Sequence, residues 1–299
     1  MDLRITVGDA NVIPEAYAVR ESVWEYSSTL TFVCRARLLS DITSIVLDGS
    51  SEFKIFSVRM LSPDRYEYVA YPKPYIDLLQ TTFPVTRGTL SVKDLCSSLG
   101  VPYDSPHTCL ASEWVLPLYR LRSLIDVLSL HANFVSGGCP TFHFNLSGVL
   151  WGCDIHSESV MSTDPVGAIT GTLDYSKLST SFSADVPGIV DFYFYDEDSI
   201  TGPVREVFGE GYGVGVESHF LSSSVSRDWY IRAARSRFWR YLYSNNVYSF
   251  RDVASSFLVV GSRVKAVDIG TDIIVTTVSS EYKDGVVVMR VEGAPILKG

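Results

Sequence analysis

Apolar and polar positions alternate in short runs over the first part of the chain. Leu3 to Val7, Tyr17 to Trp24, Leu30 to Leu38, Ile42 to Leu47, Phe53 to Met60 and Tyr66 to Tyr71 are apolar, β-branched or aromatic segments. Gly8-Asp9, Tyr26-Ser27-Ser28, Asp48-Gly49 and Ser62-Pro63-Asp64 punctuate them with turn residues. Short strands at this regular spacing predict a barrel or a sandwich.

The period changes beyond Thr86-Arg87-Gly88. Ser91 with Asp94 three residues later can cap a short helix, Leu95 and Leu99 supply its buried side, and Gly100 with Pro102 ends it. From Leu118 onward Leu121, Leu124, Ile125, Leu128 and Ala132 recur at helical spacing, with Gly137-Gly138 soon after. Thr141 to Leu146 and Val149 to Ile155 then read as strands joined at Ser147-Gly148. Met161 to Gly188 is Ser/Thr-rich and carries only weak strand patterns. Ile189 to Tyr195 is a strong strand running into Asp196-Glu197-Asp198. Gly209, Gly211, Gly213 and Gly215 mark a flexible connector. The chain ends in strand patterns at Phe257 to Val260, Val264 to Val267, Ile273 to Ser279 and Val286 to Val291, with Asp284-Gly285 as a hairpin turn.

Between the connector and the last strands, residues 226–245 have a helical pattern with two distinct sides. Tyr230, Ile231, Ala234, Phe238, Tyr241 and Leu242 share one of them. The other carries Arg232, Arg235, Arg237 and Arg240, together with Trp229, Trp239 and Tyr243. Aromatic rings on a charged face leave apolar surface exposed unless something covers them. Trp229, Arg232, Arg235, Trp239, Arg240 and Tyr243 are therefore a candidate subunit interface, since Trp, Tyr and Arg dominate interface anchors. A solvated charged face is the plain alternative. Nucleic-acid contact is a third.

Composition narrows these options. At 299 residues the chain exceeds one typical domain, so two or three modules are expected. Its 46% apolar content is ample for real cores, and the net charge of −9 disfavours a general nucleic-acid binder. The same acidity suits a surface past which DNA must slide. No apolar run reaches membrane-spanning length, and Met1-Asp2-Leu3-Arg4 does not resemble the start of a signal peptide. A soluble protein is the expectation. Cys34, Cys96, Cys109, Cys139 and Cys153 are odd in number and scattered, which fits reduced thiols better than a disulfide framework.

Candidate chemistry is sparse. Cys139, His143, Cys153 and His156 are four residues of the types that hold tetrahedral zinc, but their spacing departs from common fingers. In addition, Phe142, Phe144 and Leu146 would face a core and leave His143 alone on the opposite side. The glycines at 209–215 match neither a dinucleotide nor a phosphate loop. Asp191, Asp196, Glu197 and Asp198 could pair for acid–base work or bind a cation, although a solvated turn explains them as well. His131 falls in the last turn of its helix, where a cation meets the dipole favourably. Asn145-Leu146-Ser147 matches a glycosylation acceptor without secretory context. No nucleophile-elbow, zincin or kinase motif is present. Neither a catalytic residue nor a cofactor is expected.

The order of modules resembles a known family. A β-rich start leads to a short capped helix, to the helix and hairpin Leu118–Phe134 and Phe142–Ile155, and to the Arg/Ala-rich segment Arg232–Arg237. Val259–Val264, Thr271–Tyr282 and Asp284-Gly285-Val286 follow. This pattern is similar to the tail baseplate hub proteins of tailed bacteriophages, with late control D proteins and the hub part of type VI secretion spikes as relatives. The resemblance implies an α+β, mostly β fold of two tube-type β-barrel domains with α/β insertions. The first barrel would span 1–87, an α/β module 88–160, and the second barrel with its inserted helix 161–299. It also implies a structural role in a homotrimeric ring that adapts a sixfold tail tube to a threefold spike. A tube or distal tail protein would sit above and a spike or tip protein below, with DNA or effector passing through without specific binding. Its place would be the virion tail baseplate, assembled in the host cytoplasm. Two other readings stay open: a distal tail or adsorption protein binding host-surface carbohydrate, and a cell-wall hydrolase.

Overall fold

The computed structural model describes residues 2–155 except 36, 40–42, 117, 136 and 137. Beyond these it describes 180–182, 190–196, 204–208, 215–221, eight helical positions between 229 and 244, 246–253, 259–266, 271–283 and 285–295. The alternating start of the chain forms β1 (Leu3–Val7), β2 (Ala10–Val12), β3 (Ala16–Ser22), β4 (Thr29–Cys34), β5 (Thr43–Leu47), β6 (Ser51–Ser62) and β7 (Arg65–Pro72). Period two shows directly in burial. Along β4 every second residue, Leu30, Phe32 and Cys34, is fully buried.

A mixed module follows: α1 (Lys73–Leu79), β8 (Thr82–Phe83), β9 (Thr86–Leu90), α2 (Val92–Ser98), β10 (Tyr103–Asp104), β11 (Cys109–Leu110), β12 (Ser112–Leu116), β13 (Tyr119–Arg120), α3 (Leu121–His131), β14 (Asn133–Phe134), β15 (Pro140–Phe144) and β16 (Leu150–Asp154). The capping reading at Ser91 holds: its Oγ accepts from the Asp94 N–H at 3.1 Å and donates to the Asp94 carboxylate at 2.6 Å. Gly100, at φ +68°, supplies the left-handed residue after that helix. Helix α3 starts at Leu121, three residues later than the pattern suggested, and Leu118 is exposed. Helix α1 has no counterpart in the sequence reading. Pro74 looks like a breaker, yet proline is tolerated in a first turn, and Asp77 ties Lys73 to Lys54.

The remaining described strands are β17 (Thr180–Phe182), β18 (Val190–Asp196), β19 (Val204–Phe208), β20 (Gly215–Leu221), β21 (Asn246–Val253), β22 (Arg263–Ala266), β23 (Thr271–Lys283) and β24 (Val286–Pro295). Gly215, read as the end of a connector, opens β20, which runs parallel to β18. Strand β21 was not anticipated. Val259 and Val260, expected at the end of a strand, enter a turn at Gly261 instead, whose φ of +83° suits glycine.

Twelve of these strands form one sheet, in the order β17-β21-β24-β23-β3-β4-β7-β6-β5-β1-β2 with β22 beside β23. The two β-rich ends of the chain, expected as separate units, are thus joined edge to edge. Thr277 to Lys283 pairs antiparallel with Ser22 to Ala16. Tyr17 stacks on Tyr282 at 4.9 Å, and the buried hydroxyls of Ser22 and Thr277, 255 residues apart, lie 2.9 Å from each other. Among the described residues no ladder joins β17 to β2, so the path is open.

Three apolar cores follow from this layout. One lies within β1–β7 around Ile5, Leu30, Phe32 and Tyr68. A second fills the mixed module, where Leu121, Leu124, Ile125 and Leu128 of α3 meet Trp114, Phe142 and Phe144. The third joins the module to the sheet: Cys139, Cys153 and Ile155 pack with Val23, Tyr243, Val260, Ile273 and Val291.

The Ser22–Thr277 bond gives a test of how firmly the two ends are coupled. Thr277→Val leaves the Ser22 hydroxyl short of a buried partner and should cost about 1–3 kcal/mol. A double-mutant cycle with Ser22→Ala should show coupling of about 0.5–3 kcal/mol in chemical denaturation. Additive effects would mean that the joint does not hold.

Candidate functional site

The segment expected to face another subunit is the natural place to begin. Trp229, Arg232, Ala233, Ser236, Trp239, Arg240, Tyr243 and Ser244 are helical and recur every three or four residues, so they share one side of a helix. That side meets the chain's own body. His131, at the last turn of α3, donates through Nδ1 to the Trp229 carbonyl at 3.0 Å, and its ring stacks on the Trp229 indole. Ser236 donates to the Leu130 carbonyl at 3.0 Å. Trp239 packs against the third core, Tyr243 is fully buried in it, and the Arg240 guanidinium lies 5.5 Å from the centre of the Trp24 ring. Arg232 is half-buried. Arg235 lies outside the described residues, as do Tyr230, Ile231, Ala234, Phe238, Tyr241 and Leu242. The apolar cost of aromatics on a charged face is met by intrachain packing, and at Tyr243 no surface remains for a partner.

The cysteine–histidine constellation resolves into separate structural contacts. Cys139 and Cys153 are buried in the third core, where burial, helped by the nearby Asp154 carboxylate, pushes both thiols well above their ordinary range. None of the five cysteines is in a disulfide. His143 does stand on the opposite face from Phe142 and Phe144, but that face is not empty. Its Nε2 donates to the Glu21 carboxylate of β3 at 3.0 Å, pinning the β15–β16 hairpin to the large sheet. His156 lies outside the described residues. Among the described residues no group of three or more His, Cys, Asp or Glu could hold a metal ion.

The best-organised buried polar group was missed by the sequence reading. The Asp154 carboxylate is fully buried and accepts from the Cys139 N–H at 2.7 Å and the Gly138 N–H at 3.1 Å. Its own N–H donates to His107 Nδ1 at 3.0 Å. His107 is thereby an acceptor and neutral, and burial lowers its pKa against the pull of Asp154. Each of these contacts ends on backbone, which ties the loop before β11 to the start of the hairpin. Such a network fixes position and leaves no free carboxylate for acid–base work. A lone His in a Pro-Ser loop carries no local signal of this partnership.

The other candidates are equally local. The Asn145 side chain accepts from the N–H groups of Ser147 and Val149, which closes the hairpin turn. Asp191 and Asp196 belong to β18, whereas Glu197 and Asp198 lie outside the described residues. At the tip of the β6–β7 hairpin, Glu15 is gripped by Arg35 at 2.7 Å and Arg65 at 2.8 Å. The Arg35 bond leads the interactions that hold its carboxyl below the usual range. No helix among the described residues is long and apolar enough to cross a membrane.

The fold is shared with solved structures. A tail protein from Neisseria meningitidis MC58 superposes with a TM-score of 0.67 at 12% identity, over 98% of this chain and 95% of that one. The 43 kDa tail protein of prophage MuSo2 from Shewanella oneidensis gives 0.63 at 10% identity, over 98% and 97%. A type VI secretion component of E. coli, described as similar in structure to the T4 bacteriophage tail proteins gp27 and gp5, gives 0.53 at 15% identity, over 100% and 78%. No protein-family model matches the sequence, and no curated protein matches it. At these identities what is shared is the fold, and it runs through nearly the whole chain.

Two measurements check this account. Tyr243→Ala should lower stability by about 3–5 kcal/mol, as for other large buried rings, whereas an exposed interface residue would stay within about 0.5 kcal/mol. Because the folded pKa of His107 is depressed, its contribution is present above the ordinary histidine pKa and fades as pH falls below about 6.5. His107→Asn keeps an acceptor but cannot titrate there, so its melting temperature should depend less on pH between about 6.5 and 5. An unchanged slope would exclude His107.

Proposed function

We propose that the chain is a structural hub of a phage tail or a related injection machine, in which copies close into a ring that joins the tail tube to a spike or tip protein. The observation that carries this reading is the correspondence of nearly the entire chain with tail proteins, over most of their own lengths as well. In this reading β1–β7 and the strands from β17 to β24 are two tube-type units. The β3–β23 ladder holds them side by side, so that three chains present six units to a sixfold tube. The mixed module braces the pair from one side through the third core.

The work of such a protein is mechanical, and the buried polar groups suit it. Asp154, His107 and His143 are spent on rigid joints, and the acidic balance of the chain suits a conduit that must not retain DNA. Because the aromatic helix side packs on its own chain, subunit contact in this reading runs through the sheet edges. The assembled place is the virion tail baseplate.

The expected particle has a mass near three times the 33.2 kDa of one chain. Light scattering of purified protein across micromolar concentrations tests this, and negative-stain images should show a threefold ring. A monomer throughout, or specific glycan binding by an isolated monomer, would overturn the reading.

A further inference from the structure

We draw no further inference here: the strongest candidate, the exposed apolar surface patch of Val85 and Leu118 where the β8–β13 ladder passes into the β9–β12 ladder, carries nothing, because nothing in the structure shows what covers it.

Discussion

The ladder between β3 and β23 is the constraint on which the rest depends. It pairs residues 16–22 with residues 277–283, so almost the full length of the chain is looped between its two sides. Closing so long a loop costs entropy, though the cost grows only slowly with length. What offsets it is not the ladder alone. Tyr17 on Tyr282, the buried Ser22–Thr277 hydroxyl pair and the adjoining third core make the joint a packed unit. With that joint in place the sheet extends without interruption from β2 to β17.

The mixed module and the helical positions near residues 229–244 act as a brace across this joint. Glu21 of β3 receives His143 of β15, and Val23, just after β3, packs with Cys139, Cys153 and Tyr243. His131 stacks on Trp229 and bonds its carbonyl, which couples α3 to the same assembly. Residues whose chemistry suggests a zinc site or a subunit contact are used to fix the relative positions of layers. Each of these bonds joins two different elements, although the other ring nitrogen of His143, Nδ1, is buried with no hydrogen-bond partner among the described residues.

That arrangement separates rigidity from contact. The interior face of the joint is closed, whereas Val58 and Met60 on β6 and Ile13 after β2 are exposed. Exposed apolar residues on a strand invite edge-to-edge aggregation unless something covers them.

Local elements were readable because periods of two and 3.6 residues report which face is buried. The strands from Leu3 to Tyr71 other than β2, the Ser91 cap, the α3 face and the 141–155 hairpin follow from such patterns. Helix α1 escaped because Pro74 looks like a breaker at a position where it is tolerated, and β21 because it lies hard against the helical stretch that precedes it. Phe53, Ile55, Phe56, Val58, Met60 and Leu61 are too many apolar residues for one buried face, and of these Phe56, Val58, Met60 and Leu61 are exposed. Pairings across long separations were not readable at all. Nothing near Glu21 points to His143, nothing near Trp229 points to His131, and nothing near Ser22 points to Thr277. Amphipathicity tells a segment that it must be covered, while only the three-dimensional arrangement decides by what, because burial is non-directional and many surfaces in the chain could have supplied it.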